Sequence, residues 1–143
     1  MIRDDRVPPG YSGTPLARKL GIKDGTRVLP LEAPPEYAEW IGPLPPHAAR
    51  ATRMSEAVDI VHVFAVRASK LAYHLQNLRG TLRQDAAMWV SWPKKASKVS
   101  TDITEDVIRD LALPLGFVDI KVCAVTEVWS GLKLVIRKSN RLS

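Results

Sequence analysis

Cysteine is almost absent from this sequence, since Cys123 is the only one among 143 residues. The chain can therefore form neither an intrachain disulfide nor a cysteine-rich metal site, and a reducing compartment suits it. No apolar run approaches the roughly 20 residues that span a bilayer. The charged residues 1–6 also lack the apolar core of a secretion signal. We therefore expect a cytoplasmic protein without membrane association.

The motifs of the common catalytic classes are missing as well. No GxSxG, HExxH or Walker motif occurs in the sequence. The histidines at 47, 62 and 74 lack the spacing of metal ligands, so we expect no metal site. His62 falls within an apolar strand pattern and is expected to be a hydrogen-bonded core residue. Cys123 also falls in a predicted strand, where burial makes a thiol inert. The sequence thus predicts no catalytic residue and no cofactor.

Glycine is missing where a nucleotide-binding domain would need it. A strand pattern at about 27–32 runs into residues 30–35, which read Pro-Leu-Glu-Ala-Pro-Pro. Proline has no N–H and a fixed φ angle, so this segment cannot act as a glycine-rich loop. Residues 33–53 carry five prolines and predict a loop with at most a short helix near 36–41.

What the chain does contain is an alternation of strand and helix patterns. Residues 58–66 are almost continuously apolar, which is typical of a central parallel strand. Leucines at 71, 75, 78 and 82 predict a helix over about 69–83, and a third strand follows at 86–92. A further helix is predicted to begin near Asp102, with Glu105 completing a capping box. Residues 118–129 and 132–137 predict an antiparallel hairpin.

These patterns predict one three-layer, Rossmann-like α/β domain over residues 1–143. The sheet should have about five strands, mostly parallel, with a C-terminal antiparallel hairpin. Residues 1–13 are expected to form an irregular arm, 33–53 a proline-rich loop and 139–143 a basic tail. A short helix is expected at about 14–21, with Thr14 as its N-cap and Pro15 at its first position.

The net charge of +6 favours an anionic partner. Ligands of open α/β sheets bind beyond the carboxyl ends of the strands, and the end of the third strand carries a tryptophan and two lysines. The predicted anion site consists of Ser12, Gly13, Thr14, Arg67, Trp92, Lys94, Lys95 and Ser97. Hydroxyl groups at 97, 100 and 101 would add donors. The alternative is a solvated basic loop in which Trp92 caps the core.

Several segments resemble the class I methyltransferases that use S-adenosylmethionine. Residues 25–29 resemble the lead-in to the first strand of that family, 58–61 its fourth strand, 87–90 its fifth, and 115–137 its closing hairpin. The resemblance implies a reduced methyltransferase-like fold in which the proline-rich 33–53 segment replaces the second and third strands. The glycine-rich loop and the acidic residue for the ribose would both be missing, so the usual mode of cofactor binding is not expected.

The chain also resembles a small bacterial family of domains whose members have no assigned activity. Residues 10–16, 89–95 and 128–133 carry this similarity, which spans most of the chain. It implies a fold and no reaction.

Three functions remain open from the sequence. The preferred interpretation is a non-catalytic domain that binds an anionic small molecule or a protein partner. The alternative is a methyltransferase-like enzyme with atypical cofactor binding. The third is a nucleic-acid-binding module, for which Trp92 is the one tryptophan that stands beside lysines.

Overall fold

The computed structural model describes residues 14–141. They form a single mixed sheet with helices on both faces. The strands are β1 (Arg27–Leu31), β2 (Ala49–Arg50), β3 (Ile60–Phe64), β4 (Ala87–Pro93), β5 (Phe117–Ala124) and β6 (Trp129–Ile136), and the helices are α1 (Leu16–Leu20), α2 (Tyr37–Ile41), α3 (Ala68–Thr81) and α4 (Glu105–Ala112).

The strand order is β2-β1-β3-β4-β6-β5. The first four strands pair in parallel, and β6 lies antiparallel between β4 and β5. This confirms the predicted Rossmann-like α/β class with its antiparallel hairpin, with six strands in place of about five. No helix in the described part of the chain is long and apolar enough to cross a membrane.

The two faces of the sheet are covered by different helices. Leu75 of α3 and Ile108 of α4 pack on one face, as the leucine pattern predicts. On the other face, α1 and α2 pack around Trp89 and Phe64. The fully buried Trp89 indole donates a hydrogen bond from Nε1 to the Leu20 carbonyl at 3.0 Å, which fixes α1 against the sheet. The result is the three-layer arrangement that lets ligands approach the strand ends.

Strand β2 was not predicted, and its shortness has a physical cause. The carbonyls of Thr26 and Val28 accept hydrogen bonds from Ala49 at 3.0 Å and Ala51 at 2.7 Å. The next donor on this side of β1 would be residue 30, which is a proline without an N–H. The ladder therefore ends, and two residues remain of the strand that the resemblance implied to be missing.

The predicted capping box at Asp102 is wrong. Helix α4 begins at Glu105, and its N-cap is Thr104, whose hydroxyl accepts from the Val107 amide. Asp102 instead accepts a hydrogen bond from the Ala68 amide at 2.7 Å. It thereby caps α3, whose own N-cap residue Arg67 has no side-chain acceptor. The loop after β4 is thus tied to the helix after β3.

His62 is a fully buried, hydrogen-bonded core residue, as the sequence predicts. Its Nδ1 lies 3.0 Å from the Tyr37 hydroxyl, and its Nε2 lies 2.7 Å from the Ser91 hydroxyl. These contacts connect α2 to β3 and β4. Burial lowers the pKa of His62 to about 3, so the imidazole is neutral in the folded protein at neutral pH.

The buried His62 should make stability depend on pH. The unfolded chain binds a proton below about pH 6.5, whereas the folded chain excludes it until about pH 3. The stabilising contribution of the neutral His62 is therefore fully present above pH 6.5. Below that pH the free energy of unfolding falls by about 1.4 kcal/mol per pH unit. Urea unfolding at pH 7.5, 6.0 and 5.0 measures the slope. The H62Q variant should lack this component, and an equal slope in both proteins between pH 6.0 and 5.0 would contradict the prediction.

Gly131 in β6 should be intolerant of a side chain. A Cβ there would lie 3.1 Å from Cγ2 of Val125 and 3.3 Å from the Trp89 ring. Gly131→Ala should therefore destabilise the fold by about 1–3 kcal/mol. Gly80 in α3 has open space around it, so Gly80→Ala should stabilise the helix by about 0.5–1 kcal/mol. Chemical denaturation compares the two, and opposite signs are expected.

Candidate functional site

The carboxyl ends of β1 and β3 form the natural crevice of this sheet. The chain leaves β1 towards α2 on one face and leaves β3 towards α3 on the other. Two adjacent parallel strands whose connections diverge in this way open a gap at the strand ends, where ligands of such sheets bind.

Glu32 is the first residue after β1 and has an unusual backbone. Its φ angle is 59°, in the left-handed region that costs a non-glycine residue about 1 kcal/mol. Its carboxylate accepts from Nε2 of His74 and from Nζ of Lys70, both at 3.1 Å. These two partners, His74 first, hold the pKa of Glu32 below its usual range. A fixed negative charge therefore stands at the crevice.

An open cleft of about 300 Å³ lies beside Glu32. We call it the edge cleft and define it by Glu32, Phe64, Arg67, Lys70 and Trp129. The Trp129 ring meets Phe64 edge-on at 5.0 Å, and Phe64 stacks on His62 at 4.3 Å. The aromatic wall thus rests on the buried hydrogen-bonded core. The cleft combines one carboxylate, two cations and an aromatic surface.

A second and larger depression of about 800 Å³ follows β4. We call it the lysine groove and define it by Trp92, Lys94, Lys95, Lys98 and Ser130. Trp92 is only 7% exposed and forms part of its floor. Glu105 and Arg109 of α4 also line the groove. The Lys94 amide donates to the Val128 carbonyl at 2.7 Å, which ties the basic loop to the C-terminal hairpin.

Two of the three hydroxyl groups expected to bind an anion, those of Ser97 and Thr101, already bond to backbone groups. Ser97 Oγ donates to the Lys94 carbonyl at 2.6 Å and accepts from the Val99 amide. Thr101 Oγ1 donates to the Val66 carbonyl at 2.7 Å. They shape the loop, so the charge for a ligand comes from the lysines. In the described part of the chain, Lys94, Lys95 and Lys98 form no ion pair.

The predicted anion-site residues are divided between two neighbouring places. Arg67 lines the edge cleft, whereas Trp92, Lys94 and Lys95 line the lysine groove. Trp129 of β6 lines the first depression, and the next residue, Ser130, lines the second.

The N-terminal part of the prediction lies elsewhere. Ser12 and Gly13 lie outside the described residues. Thr14 precedes α1 on the opposite face from α4 and lines neither depression. Pro15, and not Thr14, is the N-cap of α1.

Sequence reasoning missed the contribution of Lys70, His74 and Trp129. The sequence contained a signal for Lys70 and His74, because residues four apart in a helix lie on one face. That face of α3 meets the end of β1 at Glu32. The sequence alone could not place Trp129, because only the strand order shows that β6 brings it beside Phe64.

The remaining reactive groups do not add to this site. The half-buried Cys123 has its thiol pKa raised by burial, which disfavours the reactive thiolate. Within residues 14–141, no group of histidine, cysteine or carboxylate side chains is arranged to hold a metal ion.

The residues around the edge cleft determine how S-adenosylmethionine could bind there. Pro34 and Pro35 follow β1 where backbone donors would be required, and β2 ends at Arg50 instead of an acidic residue. The glycine-loop mode of binding is therefore unavailable. The chemistry of the cleft fits the group in another way. Arg67 suits its carboxylate, Glu32 suits its ammonium group or ribose hydroxyls, and the Trp129 ring suits its sulfonium or adenine.

Comparison with known proteins places the fold. No family model matches the sequence, and no curated protein matches it. A methyltransferase from Aquifex aeolicus that depends on S-adenosylmethionine is similar in structure, with a TM-score of 0.64, 12% identity, and coverage of 89% of this chain and 90% of that one. Fibrillarin from Aeropyrum pernix, solved with natively bound S-adenosylmethionine, is also similar in structure. Its TM-score is 0.54 at 17% identity, with coverage of 84% of this chain and 73% of that one.

A third similar structure is a protein of the NADB-Rossmann superfamily from Streptococcus agalactiae. Its TM-score is 0.55 at 12% identity, with coverage of 94% of this chain and 73% of that one. Identities this low carry the fold and not the activity. The chain therefore has a reduced form of the Rossmann-like fold of class I methyltransferases.

Proposed function

We propose that this protein is a methyltransferase-like enzyme that binds S-adenosylmethionine atypically in the edge cleft. The observation that carries the proposal is the position and chemistry of that cleft. It lies at the diverging ends of β1 and β3 in a methyltransferase-like sheet and combines an arginine, a carboxylate and an aromatic wall. This interpretation takes precedence over a purely non-catalytic one, because the similar structures include methyltransferases.

Each side chain of the cleft has a distinct part in binding. The Arg67 guanidinium would bind the carboxylate with two parallel hydrogen bonds. Glu32 would attract the ammonium group, and the Trp129 face would attract the sulfonium. Because His74 and Lys70 already fix the Glu32 carboxylate, little side-chain entropy is lost when a ligand arrives. The backbone strain at Glu32 is thus the cost of a preorganised charge.

The bound group supplies an electrophilic methyl group, and the protein has to position the acceptor. Alignment of the two reactants can supply much of the rate enhancement of such a transfer. Glu32 is the one carboxylate among the described residues that line the edge cleft, and its oxygen is already held by His74 and Lys70, so it is poorly placed to act as a general base. The acceptor is therefore expected to be nucleophilic at neutral pH without losing a proton, as a ring nitrogen is.

Isothermal titration calorimetry with S-adenosylmethionine tests this function. The wild-type protein should bind with measurable heat at millimolar ligand or below. Arg67→Ala should weaken binding by about 10- to 100-fold, because it removes charge-assisted hydrogen bonds worth about 1.5–3 kcal/mol. Trp129→Leu should also weaken it, and more for S-adenosylmethionine than for S-adenosylhomocysteine, which lacks the sulfonium charge. Lys138→Ala, an exposed change outside the cleft, is the control. The proposal would be ruled out if the wild-type protein gave no heat, or if Arg67→Ala bound S-adenosylmethionine with wild-type affinity.

The lysine groove supports a second candidate function, a non-catalytic site for an anionic small molecule or an acidic protein partner. Its three lysines make no ion pair in the described part of the chain, and its floor contains an indole ring. A groove of about 800 Å³ is within the usual size of a small-molecule site. Arg109 on the opposite wall is already occupied by Glu105, Asp106 and Asp119.

A thermal-shift series with pyrophosphate and a nucleoside triphosphate tests the lysine groove. Ligands that bind only the folded state raise the melting temperature, and a large excess over Kd should give a rise of a few degrees. Lys94→Ala/Lys95→Ala should abolish the rise. Arg53→Gln/Lys138→Gln, which removes the same charge elsewhere, should keep it. An unchanged rise in the Lys94→Ala/Lys95→Ala protein would exclude the groove as the anion site.

A further inference from the structure

The hairpin face next to α1 carries a row of lysines. Lys121 of β5 and Lys133 of β6 are directly opposite each other in the antiparallel register. Lys133 also lies opposite Trp89 of β4, and the Lys121 ammonium lies 6.0 Å from the centre of the Trp89 ring. Like charges at directly opposed positions destabilise a sheet. The fold thus retains a pair that costs it stability.

Two further lysines extend this pair into a row. Lys23 and Lys133 line one shallow cleft of about 510 Å³ between the α1–β1 connection and the hairpin. Lys19 of α1 donates from Nζ to the Ala124 carbonyl at 3.0 Å, so it is also held beside the hairpin. We call Lys19, Lys23, Lys121 and Lys133 the lysine row.

The carboxylates that share this cleft are paired with other residues. Asp59 and Asp85 are both bound by Arg83, with an Asp59 distance of 2.8 Å. Asp24 pairs with His47 at 3.2 Å. In the range 14–141, neither Lys23 nor the Lys121–Lys133 pair forms an ion pair.

The neighbouring lysines and partial burial affect the ammonium group of Lys133. It is partly buried, and burial together with Lys121 and Lys23 holds the pKa of its ammonium group below the usual value. An anion supplied from outside the chain would relieve both the repulsion and the lost hydration.

We propose that the lysine row binds the sugar–phosphate backbone of a nucleic acid without reading its bases. Lysines act as point charges that suit repeated phosphates, whereas the nearby Trp89 is fully buried and cannot stack on a base. The row extends from α1 and the α1–β1 connection to both strands of the hairpin, so it offers several charges to one phosphate backbone.

An extended acidic peptide fits this place less well. Such a peptide would add to the outer edge of β5, the last strand of the sheet in the described residues. The register of that strand is interrupted between Asp119 and Lys121, and Lys121 itself is an edge-protecting charge. The proposal is independent of the binding of S-adenosylmethionine, which concerns the edge cleft.

Fluorescence anisotropy with a labelled 20-nucleotide single-stranded RNA tests the lysine row over a range of salt concentrations. Wild-type affinity should fall steeply with salt. Lys121→Gln/Lys133→Gln should bind at least about tenfold more weakly, and its log–log salt slope should be shallower by about 1.4, or about 0.7 per lost phosphate contact. Its melting temperature should equal or exceed that of the wild type, because the repulsion is gone.

The control is Arg53→Gln/Lys138→Gln, which removes two exposed charges away from the row and should keep the wild-type affinity and slope. Equal losses in the two double variants would overturn the proposal in favour of diffuse charge. Absence of binding at low salt would also overturn it. Displacement of the RNA by polyglutamate at equal charge concentration would assign the row to an acidic protein instead. No S-adenosylmethionine is present in this assay, so its failure leaves the edge cleft untouched.

Discussion

The absence of one backbone N–H, that of Pro30, shapes the edge of the sheet at the carboxyl ends of its parallel strands. Without that donor the ladder between β1 and β2 cannot continue past Ala51, and β2 remains two residues long. After Leu31, which is still paired with Val63 of β3, the chain turns at once at Glu32, in a left-handed conformation. Two prolines then carry it into α2. Side chains, and not the backbone of a glycine-rich loop, therefore line this edge of the sheet.

The buried His62 compensates for this shortened connection. Helix α2 has only five residues and little propensity to be stable alone. The hydrogen bond from Tyr37 to His62 and the edge-on contact of Tyr37 with Phe64 at 5.6 Å anchor it to β3. The Ser91 hydroxyl forms the second hydrogen bond of the His62 ring. No buried polar side-chain atom in the described residues lacks a partner. The same core supports Phe64, which forms part of the wall of the edge cleft.

The sequence contained most of the fold and only part of the site. The apolar strand at 58–66 and the leucine pattern of α3 depend on local periodicity, and both are confirmed. Strand β2 and the role of Asp102 could not be predicted in this way. Two residues give no period, and the Asp102 carboxylate finds its donor 34 positions away at Ala68. The separation of Arg67 from Lys94 into two depressions likewise follows from strand order, which no local pattern encodes.

The charges of the protein are divided by residue type in a way that bears on function. Two arginines hold five of the carboxylates: Arg83 binds Asp59 and Asp85, and Arg109 binds three acidic side chains of α4 and β5. Planar guanidinium groups suit such multiple pairing, whereas lysines act as single hydrated charges. Three lysines line the lysine groove on the α4 side, and the four of the lysine row lie on the α1 side. The lysine groove and the lysine row therefore lie on opposite faces of the sheet.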